Sequence, residues 1–351
     1  MSFSTQLIRW YRKNKRDLPW RETTDPYQIW LSEIILQQTR VEQGLPYFLK
    51  YIKAYPTLAD FAQAPEDEIL KYWQGLGYYS RARNMLNTAR QLIKLYQGKF
   101  PKKYEELILL KGIGPYTAAA IASFAFNQAV PVVDGNVFRV LSRFLGIYEP
   151  INSSVARKLF TKAAFELLDK KNPSEFNQAI MEFGATLCKP AKPDCDNCPI
   201  SSSCFAFAKN KIAELPVKTP KTKQRIRYFN YIHFTKNGST FLKKRGPKDI
   251  WQGLYEFPLI ETQKAINPEE LFDHPDFIAW TQKTKIKLIN WQSAKKHILS
   301  HQIIYARFWQ IEVMKGNLKP DKSTIIVSEE RLAAYPVPRI LDIYLKKINL
   351  V

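Results

Sequence analysis

The cysteines constrain the fold of this chain more than any other feature of its sequence. All four lie in one short stretch, with six, two and five residues between them: Cys188, Cys195, Cys198 and Cys204. A disulfide framework would be spread more widely and would need an oxidising compartment. Four neighbouring thiolates predict a metal centre instead, either tetrahedral zinc or an iron–sulfur cluster, with free core cysteines as the weaker alternative. Zinc sites favour two closely spaced pairs, and here only one pair is close.

The charge balance indicates a polyanionic partner. Lys and Arg number 53 against 32 Asp and Glu, which gives a net charge of +21 and a pI of about 9.6. Basic side chains release counterions when they neutralise phosphates, so this excess favours nucleic acid. A membrane surface, another acidic partner or a merely solvated basic surface are the alternatives.

Nothing in the sequence predicts a membrane protein or a secreted one. Residues 1–10 are polar and amphipathic, basic residues follow directly, and no stretch of about 18 apolar residues exists. We therefore expect a cytoplasmic, intracellular protein, associated with the nucleoid if the source is prokaryotic. We also expect a monomer without membrane contact.

The composition and the hydrophobic pattern of the sequence divide the chain into three parts. Residues 1–208 read as successive helices with weak β signals, whereas 209–225 form a basic, proline-containing stretch that predicts an exposed linker. Residues 226–351 read as a mixed α+β domain. Its strand candidates are 226–234, 240–244, 303–313 and 324–327, with a hairpin at Asn237-Gly238 and a closing helix from Ser328 through Leu345.

A glycine-containing turn joins two helical segments within the first part. Residues 110–117 read LKGIGPYT, and Gly112 and Gly114 permit a tight turn and close approach of another backbone. The amides at the start of the following helix would form an anion site. By pattern alone such turns often only connect helices, but the basic chain favours a phosphate contact.

Two carboxylates are candidates for catalysis. Glu33 interrupts an apolar run, and burial there would raise its pKa into the range of a proton donor near neutral pH. The alternative is a surface acid on a polar helix face. Asp134 precedes Gly135 and a predicted helix, which is ordinarily the position of an N-cap or turn residue.

Three motifs and the cysteine spacing resemble the MutY branch of the endonuclease III and MutY glycosylase superfamily. The motifs are residues 30–39 (WLSEIILQQT), 75–83 (GLGYYSRAR) and 133–137 (VDGNV). The resemblance covers nearly all of residues 1–225. It implies an all-α helix-hairpin-helix glycosylase domain, with the hairpin at about 107–126 and a [4Fe–4S] cluster held by the loop 188–204.

The resemblance implies a role for each matching catalytic position. Glu33 would protonate the leaving adenine at N7 and help to position water, and Asp134 would stabilise the oxocarbenium-like sugar, with a transient covalent bond as one route. Asn136 would orient Asp134, and Tyr116 would hydrogen-bond within the site. One proton donor and one ionised carboxylate with separate tasks is the logic of other glycosyl transfers.

The resemblance also implies DNA contacts around a flipped base. Gln38 and Tyr78 would fill the gap and hold the opposite base, while Trp20, Arg21 and Gln178 would surround the adenine. Gly112 and Gly114 would bind a phosphate through backbone amides, in some members with a bound monovalent cation. Core packing is the alternative for several of these side chains.

The last part resembles the Nudix-like C-terminal domain of the MutY family. The similarity lies in residues 244–246 (KRG) and 251–258 (WQGLYEFP), and no glutamate-rich metal box of true Nudix hydrolases is visible. We therefore expect no nucleotide hydrolysis by this multidomain protein. Recognition of 8-oxoguanine would fall to Ser300 and His301, although His301 also fits an ordinary strand-edge histidine.

The predicted activity is that of a monofunctional adenine DNA glycosylase of base excision repair, acting on adenine opposite 8-oxoguanine or guanine in double-stranded DNA. Tyr116 stands where endonuclease III-like enzymes carry a nucleophilic lysine, and tyrosine forms no Schiff base. Lys111 keeps open the alternative of a bifunctional enzyme for oxidised pyrimidines. A non-catalytic iron–sulfur DNA sensor is the alternative outside enzymology.

Overall fold

The computed structural model describes residues 1–219, 224–292, 294–318 and 323–350. Contacts divide the chain into two compact units. The first unit comprises Met1–Gln63 and Asn84–Pro220, and the second comprises Ala64–Arg83 and Lys221–Val351. The sequence predicts one domain for residues 1–208. The contacts instead group residues 64–83 with the C-terminal part of the chain.

Helices build the part of the chain up to residue 208, as the sequence predicts. They are α1 (Phe3–Asn14), α2 (Pro26–Leu36), α3 (Val41–Ala54), α4 (Leu58–Gln63), α5 (Glu66–Tyr72), α6 (Ser80–Tyr96), α7 (Tyr104–Leu107), α8 (Pro115–Phe126), α9 (Gly135–Leu145), α10 (Ala156–Leu167), α11 (Pro173–Thr186) and α12 (Phe205–Ala208). Short 3-10 helices lie at Pro19–Arg21 and Ser201–Ser203.

The helix through residues 30–41 differs from its prediction. Its apolar residues predict one half-buried helix, but α2 ends at Leu36 and Val41 begins α3. Within α2 nearly every residue from Ile29 to Ile35 is buried, so this helix is central and not amphipathic. Helices that are apolar on all sides are buried in this way.

The main core of the first unit lies between α1, α9, α10 and α11. It contains Leu7, Leu141, Phe160, Phe176 and Phe183, all at most 1% exposed. Burial of each such side chain contributes about 2 kcal/mol to folding. This core fixes the start of α9 and the inner face of α11, both of which contribute to the cavity described below.

Most residues of the stretch 209–219 are exposed, Lys209 and Lys218 among them, but its apolar residues pack. Leu215 is 2% exposed and packs with Ile212 and Val217, and the Ile151 amide donates to the Val217 carbonyl. Apolar residues stand between the lysines of this stretch, and they pack against Cys204 and Ala206 at the end of the cysteine loop. Pro220, Lys221 and Lys223 lie outside the described residues.

A mixed sheet forms the centre of the second unit. Its strands are β1 (Arg225–Lys236), β2 (Ser239–Lys244), β3 (Tyr255–Glu256), β4 (Leu259–Thr262), β5 (Lys285–Trp291), β6 (Lys295–Ile298), β7 (Gln302–Lys315) and β8 (Thr324–Ser328). The main order is β3-β2-β1-β7-β5, in which β1 and β7 are parallel. Asn237 and Gly238 have positive φ angles and connect β1 to β2, which confirms the predicted hairpin.

Helices pack on both faces of this sheet. On one face α13 (Pro268–Phe272) and α14 (Pro275–Thr281) cover Ile232 and Trp309, and on the other face α15 (Arg339–Lys347) covers Phe229 and Phe308. The predicted closing helix from Ser328 is instead a 3-10 helix, Glu329–Ala334, followed by α15. Pro336 and Pro338 stand between them and prevent a continuous helix.

The architecture confirms the predicted fold class, a helical domain followed by an α+β domain. In the part of the chain that the structure describes, no helix is both long enough and apolar enough to cross a bilayer.

Candidate active site

A cavity of about 400 Å³ opens in the first unit, and most of the predicted adenine-site residues line it. Those residues are Trp20, Arg21, Glu33, Tyr116, Asp134, Asn136 and Gln178. They come from the segment before α2, from α2 itself, and from the starts or inner faces of α8, α9 and α11. Residues far apart in the sequence thus converge on one space of nucleobase size.

Glu33 lies in the middle of α2 and is 6% exposed, so the alternative of a surface acid on a polar helix face is wrong. Burial raises the pKa of Glu33 to about 7. The hydroxyl of Tyr116 donates a hydrogen bond to its Oε2 and opposes that rise, whereas the negative charge of Asp134 adds to it. The carboxyl can therefore hold or release a proton near neutral pH.

Asp134 is the N-cap of α9 and also lines the cavity. Its Oδ1 accepts from the amides of Asn136 and Val137 at 2.9 and 2.8 Å, and its Oδ2 accepts from Nδ2 of Asn136 at 2.8 Å. Burial raises the pKa of Asp134, while these three hydrogen bonds favour the anion. Asp134 therefore caps α9 and lines the cavity at the same time.

A buried arginine holds the amide of Asn136. Arg139 Nη2 donates to Asn136 Oδ1 at 2.8 Å and to the Gly184 carbonyl at 2.7 Å, and Arg139 Nε donates to the Cys188 carbonyl at 2.7 Å. A side chain at Gly184 would not fit, since its Cβ would lie 2.7 Å from Cβ of Asn136. The carboxyl of Asp134 is thus linked through two side chains to the start of the cysteine loop.

An ion network at the cavity wall escaped sequence analysis. Glu182 has a fully buried side chain, and it accepts from Arg16 at 2.8 Å and from Arg21 at 2.6 Å. Burial alone would raise the pKa of Glu182, but the hydrogen bonds from the two arginines outweigh it and lower the pKa to about 2. The sequence around Glu182 contains no pattern that predicts its pairing with Arg16 and Arg21, which are more than 160 positions away.

Gln178 is also held by a residue that the sequence did not single out. The hydroxyl of Tyr11, itself 4% exposed, donates to Gln178 Oε1 at 2.9 Å, and Gln178 Nε2 donates to Ser174 Oγ at 3.3 Å. The amide that lines the cavity therefore has a defined orientation.

The glycine hairpin lies on the surface before α8. Gly112 has a φ of +91°, which side chains rarely adopt, and Gly114 is the N-cap of α8 with no atom within 4 Å of its Cβ position. Both are exposed. Lys111 is exposed as well and does not line the cavity.

The four cysteines surround one small cavity beside α9. Its lining includes Cys188, Cys195, Cys198 and Cys204 together with apolar side chains such as Val140, Phe183 and Ile200. Arg143 donates to Sγ of Cys188 at 3.5 Å and to the carbonyls of Lys189 and Leu215. Among the described residues, no three His, Cys, Asp or Glu side chains are grouped as they would be around a single metal ion.

Of the predicted opposite-base residues, Gln38 is in the first unit and does not line the cavity that contains Glu33. Gln38 is exposed in the turn after α2 with a φ of +58°. In the second unit, the Tyr78 hydroxyl is 3.0 Å from Oγ of Ser300, and Nε2 of His301 is 2.9 Å from the Gln302 amide. Tyr78 and Ser300, two residues predicted to contact the base opposite adenine, are therefore within hydrogen-bonding distance of each other.

Comparison with known proteins finds two domain families in the chain, and the first profile includes residues 64–83, which the contacts group with the second unit. A profile described as "HhH-GPD superfamily base excision DNA repair protein" matches residues 31–164, and a "NUDIX domain" profile matches residues 230–347. Among solved structures, a thermostable thymine-DNA glycosylase has a TM-score of 0.55 and 31% identity, covering 59% of this chain and 95% of its own.

Curated relatives extend over both units. The adenine DNA glycosylase of Buchnera aphidicola subsp. Baizongia pistaciae is 38% identical over 315 residues, covering 86% of this chain and 84% of that protein. The adenine DNA glycosylase of Arabidopsis thaliana is 38% identical over 294 residues, 72% of this chain and 46% of the longer plant protein. The chain belongs to the MutY-type adenine DNA glycosylase family of HhH-GPD base excision repair enzymes.

Proposed function

We propose that this protein hydrolyses the N-glycosidic bond of adenine mispaired with 8-oxoguanine and, more slowly, of adenine opposite guanine. One observation carries the proposal: Glu33 and Asp134 line the same nucleobase-sized cavity in different surroundings. Burial raises the pKa of both carboxyls, but Asp134 accepts three hydrogen bonds that favour its anion, whereas Glu33 accepts one from Tyr116 and has a pKa of about 7. Such a divided pair suits one proton donor and one anionic stabiliser.

The reaction begins once adenine has left the base stack and entered the cavity. Glu33 donates its proton to N7, the C1′–N9 bond breaks, and its electron pair leaves with the base. The carboxylate of Asp134 stabilises the positive charge that develops on the sugar. Asn136 donates to that carboxylate, and Arg139 in turn holds the Asn136 amide. Water then adds to C1′ and transfers a proton to Glu33, which restores the starting state.

Recognition of the base would fall to other residues that line the same cavity. Gln178 offers an amide whose donor and acceptor match the edge of adenine. Arg21 is fixed by Glu182, and Trp20 packs edge-on against Phe48 with ring centroids 5.2 Å apart. These rigid partners would hold the flipped adenine while Glu33 acts.

The proposed enzyme is monofunctional. Tyr116 lines the cavity and binds Glu33, so the predicted position of an amine nucleophile carries a phenol. Lys111 is exposed on the hairpin outside the cavity lining. Borohydride treatment during turnover should therefore trap no covalent protein–DNA adduct, and an adduct would favour the bifunctional alternative.

A [4Fe–4S] cluster is part of the proposal. Four thiols around one apolar cavity, with the Arg143 guanidinium against Cys188, fit a thiolate-ligated cluster whose net charge is negative. Cys188, Cys195, Cys198 and Cys204 would hold it, and when bound it would fix the loop. Iron and sulfide analysis with visible absorbance, on protein purified without air, separates this cluster from zinc.

DNA would be bound at the exposed hairpin and by the net charge of +21. Backbone amides at the start of α8 favour a phosphate, and the open Cβ position of Gly114 leaves room for its approach, while Gly112 permits the positive φ of the turn. Tyr78 and Ser300 would contact the base opposite adenine. Because phosphate contacts dominate affinity, binding should weaken steeply with salt.

A panel of duplexes tests the proposal. Each carries one adenine opposite 8-oxoguanine or opposite a normal base, and alkali-labile sites are counted on a gel after single-turnover reaction. We expect the order 8-oxoguanine, then guanine, then the rest. Glu33→Gln and Asp134→Asn should each lose at least ~100-fold in rate while still binding duplex. The exposed Glu166→Gln should match the wild type. Cluster-loaded protein that produces no alkali-labile site would overturn the proposal.

A further inference from the structure

Residues 64–83 contain the predicted opposite-base residue Tyr78, and polar side-chain contacts join several positions of this segment to the rest of the second unit. The first contact is at Asp67 in the first turn of α5. Its Oδ1 accepts from Lys244 Nζ at 2.6 Å, and its Oδ2 accepts from the Tyr255 hydroxyl at 2.9 Å. One carboxylate thus binds two side chains from β2 and β3.

Two further contacts follow at the end of α5. Lys71 Nζ donates to the Tyr335 carbonyl at 3.1 Å. Gln74 Nε2 donates to Asp342 at 2.9 Å, and Gln74 Oε1 accepts from the Val337 amide at 3.3 Å. The nitrogen and the oxygen of this side-chain amide are therefore both bound, by Asp342 in α15 and by Val337 just before it.

The last contact is made by Arg83, the final residue of the motif GLGYYSRAR. Arg83 Nη1 donates to the Gln252 carbonyl and Nη2 reaches the side-chain oxygen of Gln252. Burial lowers the pKa of Arg83, which shows that this guanidinium is withdrawn from solvent. The same loop carries Gly253, whose Cβ position is 3.2 Å from Leu70, so it lies directly against α5.

Between these contacts the chain adopts an uncommon conformation. Tyr78 has a φ of +48°, which is unfavourable for a residue with a side chain and persists only where surrounding contacts impose it. Trp73 Nε1 donates to the Gly77 carbonyl at 2.9 Å, and the Arg81 guanidinium lies 4.9 Å from the Trp73 ring. These contacts hold the turn from within, while Asp67 and Arg83 join it on either side to the rest of the second unit.

We propose that Asp67 and Arg83 are positioning residues that set the location of Tyr78 relative to Ser300, and through it the preference for 8-oxoguanine opposite adenine. This inference rests on the proposed function. Neither residue would touch the DNA. Asp67 and Lys244 are each about 41% exposed, so their ion pair contributes little to stability and its loss leaves the unit folded. The role is therefore one of geometry.

A double-mutant cycle tests this role. Single-turnover rates are measured on duplexes with adenine opposite 8-oxoguanine and opposite guanine, and the ratio of the two rates is the readout. Asp67→Ala and Arg83→Met should each lower that ratio about fivefold and leave the rate opposite guanine nearly unchanged. In a Ser300→Ala background, the same substitutions should have no further effect, because they act through the same contact.

The controls separate positioning from folding. Asp67→Asn keeps the acceptor oxygen for Tyr255 and should retain most of the wild-type ratio. The exposed Asp273→Ala, in the same unit, should have the wild-type ratio, and melting temperatures of all variants should agree. Equal loss on both duplexes, or effects that add in the Ser300→Ala background, would overturn the inference. Failure of the wild type to excise adenine would instead overturn the proposed function.

Discussion

The hydroxyl of Tyr116, in the first turn of α8, donates a hydrogen bond to Oε2 of Glu33 in the middle of α2. Burial is the largest influence on the pKa of Glu33, and this hydrogen bond is the next. The two act in opposite directions, and together they leave the pKa at about 7. The phenol thereby controls at which pH the proposed proton donor loses its proton.

Excision should depend on pH through Glu33. Its protonated form is the donor, so the single-turnover rate should fall as the pH rises through about 7. Tyr116→Phe removes the bond that lowers the pKa, and the alkaline limb should move to higher pH while the maximal rate falls by about tenfold. Rate profiles on adenine opposite 8-oxoguanine between about pH 5 and pH 9 measure both effects. An unchanged limb in the variant would contradict this coupling.

The same carboxyl should reduce stability at alkaline pH. The pKa of Glu33 is about 7 in the folded protein and about 4.5 in the unfolded chain. Between these values only the unfolded chain releases the proton, so the free energy of unfolding falls as the pH rises from 4.5 to about 7. Glu33→Gln removes this penalty and should stabilise the protein at pH 8 by up to about 3 kcal/mol. Thermal unfolding at pH 8 and near pH 4.5 measures it. A variant no more stable than the wild type at pH 8 would contradict the burial argument.

Glu182 should behave in the opposite way. Its folded-state pKa of about 2 lies below the ordinary 4.5, so its contribution to stability is present above 4.5 and is lost as the pH falls towards about 2. Glu182→Gln should destabilise the protein at neutral pH by about 3 kcal/mol, because Arg16 and Arg21 lose a buried counter-ion. Urea unfolding at pH 7 and pH 3 should show the difference shrinking in acid. A difference independent of pH would contradict the ion-network argument.

Tyr11 should matter for excision although it does not line the cavity. Tyr11→Phe removes the hydrogen bond that orients the Gln178 amide, and the rate should fall about fivefold with an unchanged pH profile. Tyr27→Phe is the matched control, since its buried hydroxyl binds the Tyr55 carbonyl outside the cavity. Wild-type rates in Tyr11→Phe would show that the orientation of Gln178 is unimportant.

The cavity residues could be predicted where a local pattern carries chemical meaning. A lone carboxylate in the apolar run around Glu33 predicts a burial-raised pKa, and the structure shows it. The spacing of the cysteines predicts a shared site, and all four line one cavity. In both cases the signal lies within a few neighbouring positions of the sequence.

The supporting residues could not be predicted because their partners are distant in the chain. Glu182 pairs with Arg16 across most of the helical domain, and Tyr11 reaches Gln178 over a similar separation. The grouping of 64–83 with the second unit likewise depends on side-chain contacts such as that between Asp67 and Lys244, which no periodicity reveals. Helix ends near Leu36 and Pro336 were missed because apolar patterns continue across them.

Gly184 has a consequence for inherited variation at this locus. Even a single methyl group there would meet Asn136 at 2.7 Å, so α11 and α9 would have to separate at the point where Arg139 spans them. A missense allele at codon 184 would therefore disturb both the packing of these helices and the Asn136 amide that holds Asp134. Mutational surveys scored by abundance and surveys scored by mutation rate should both detect it.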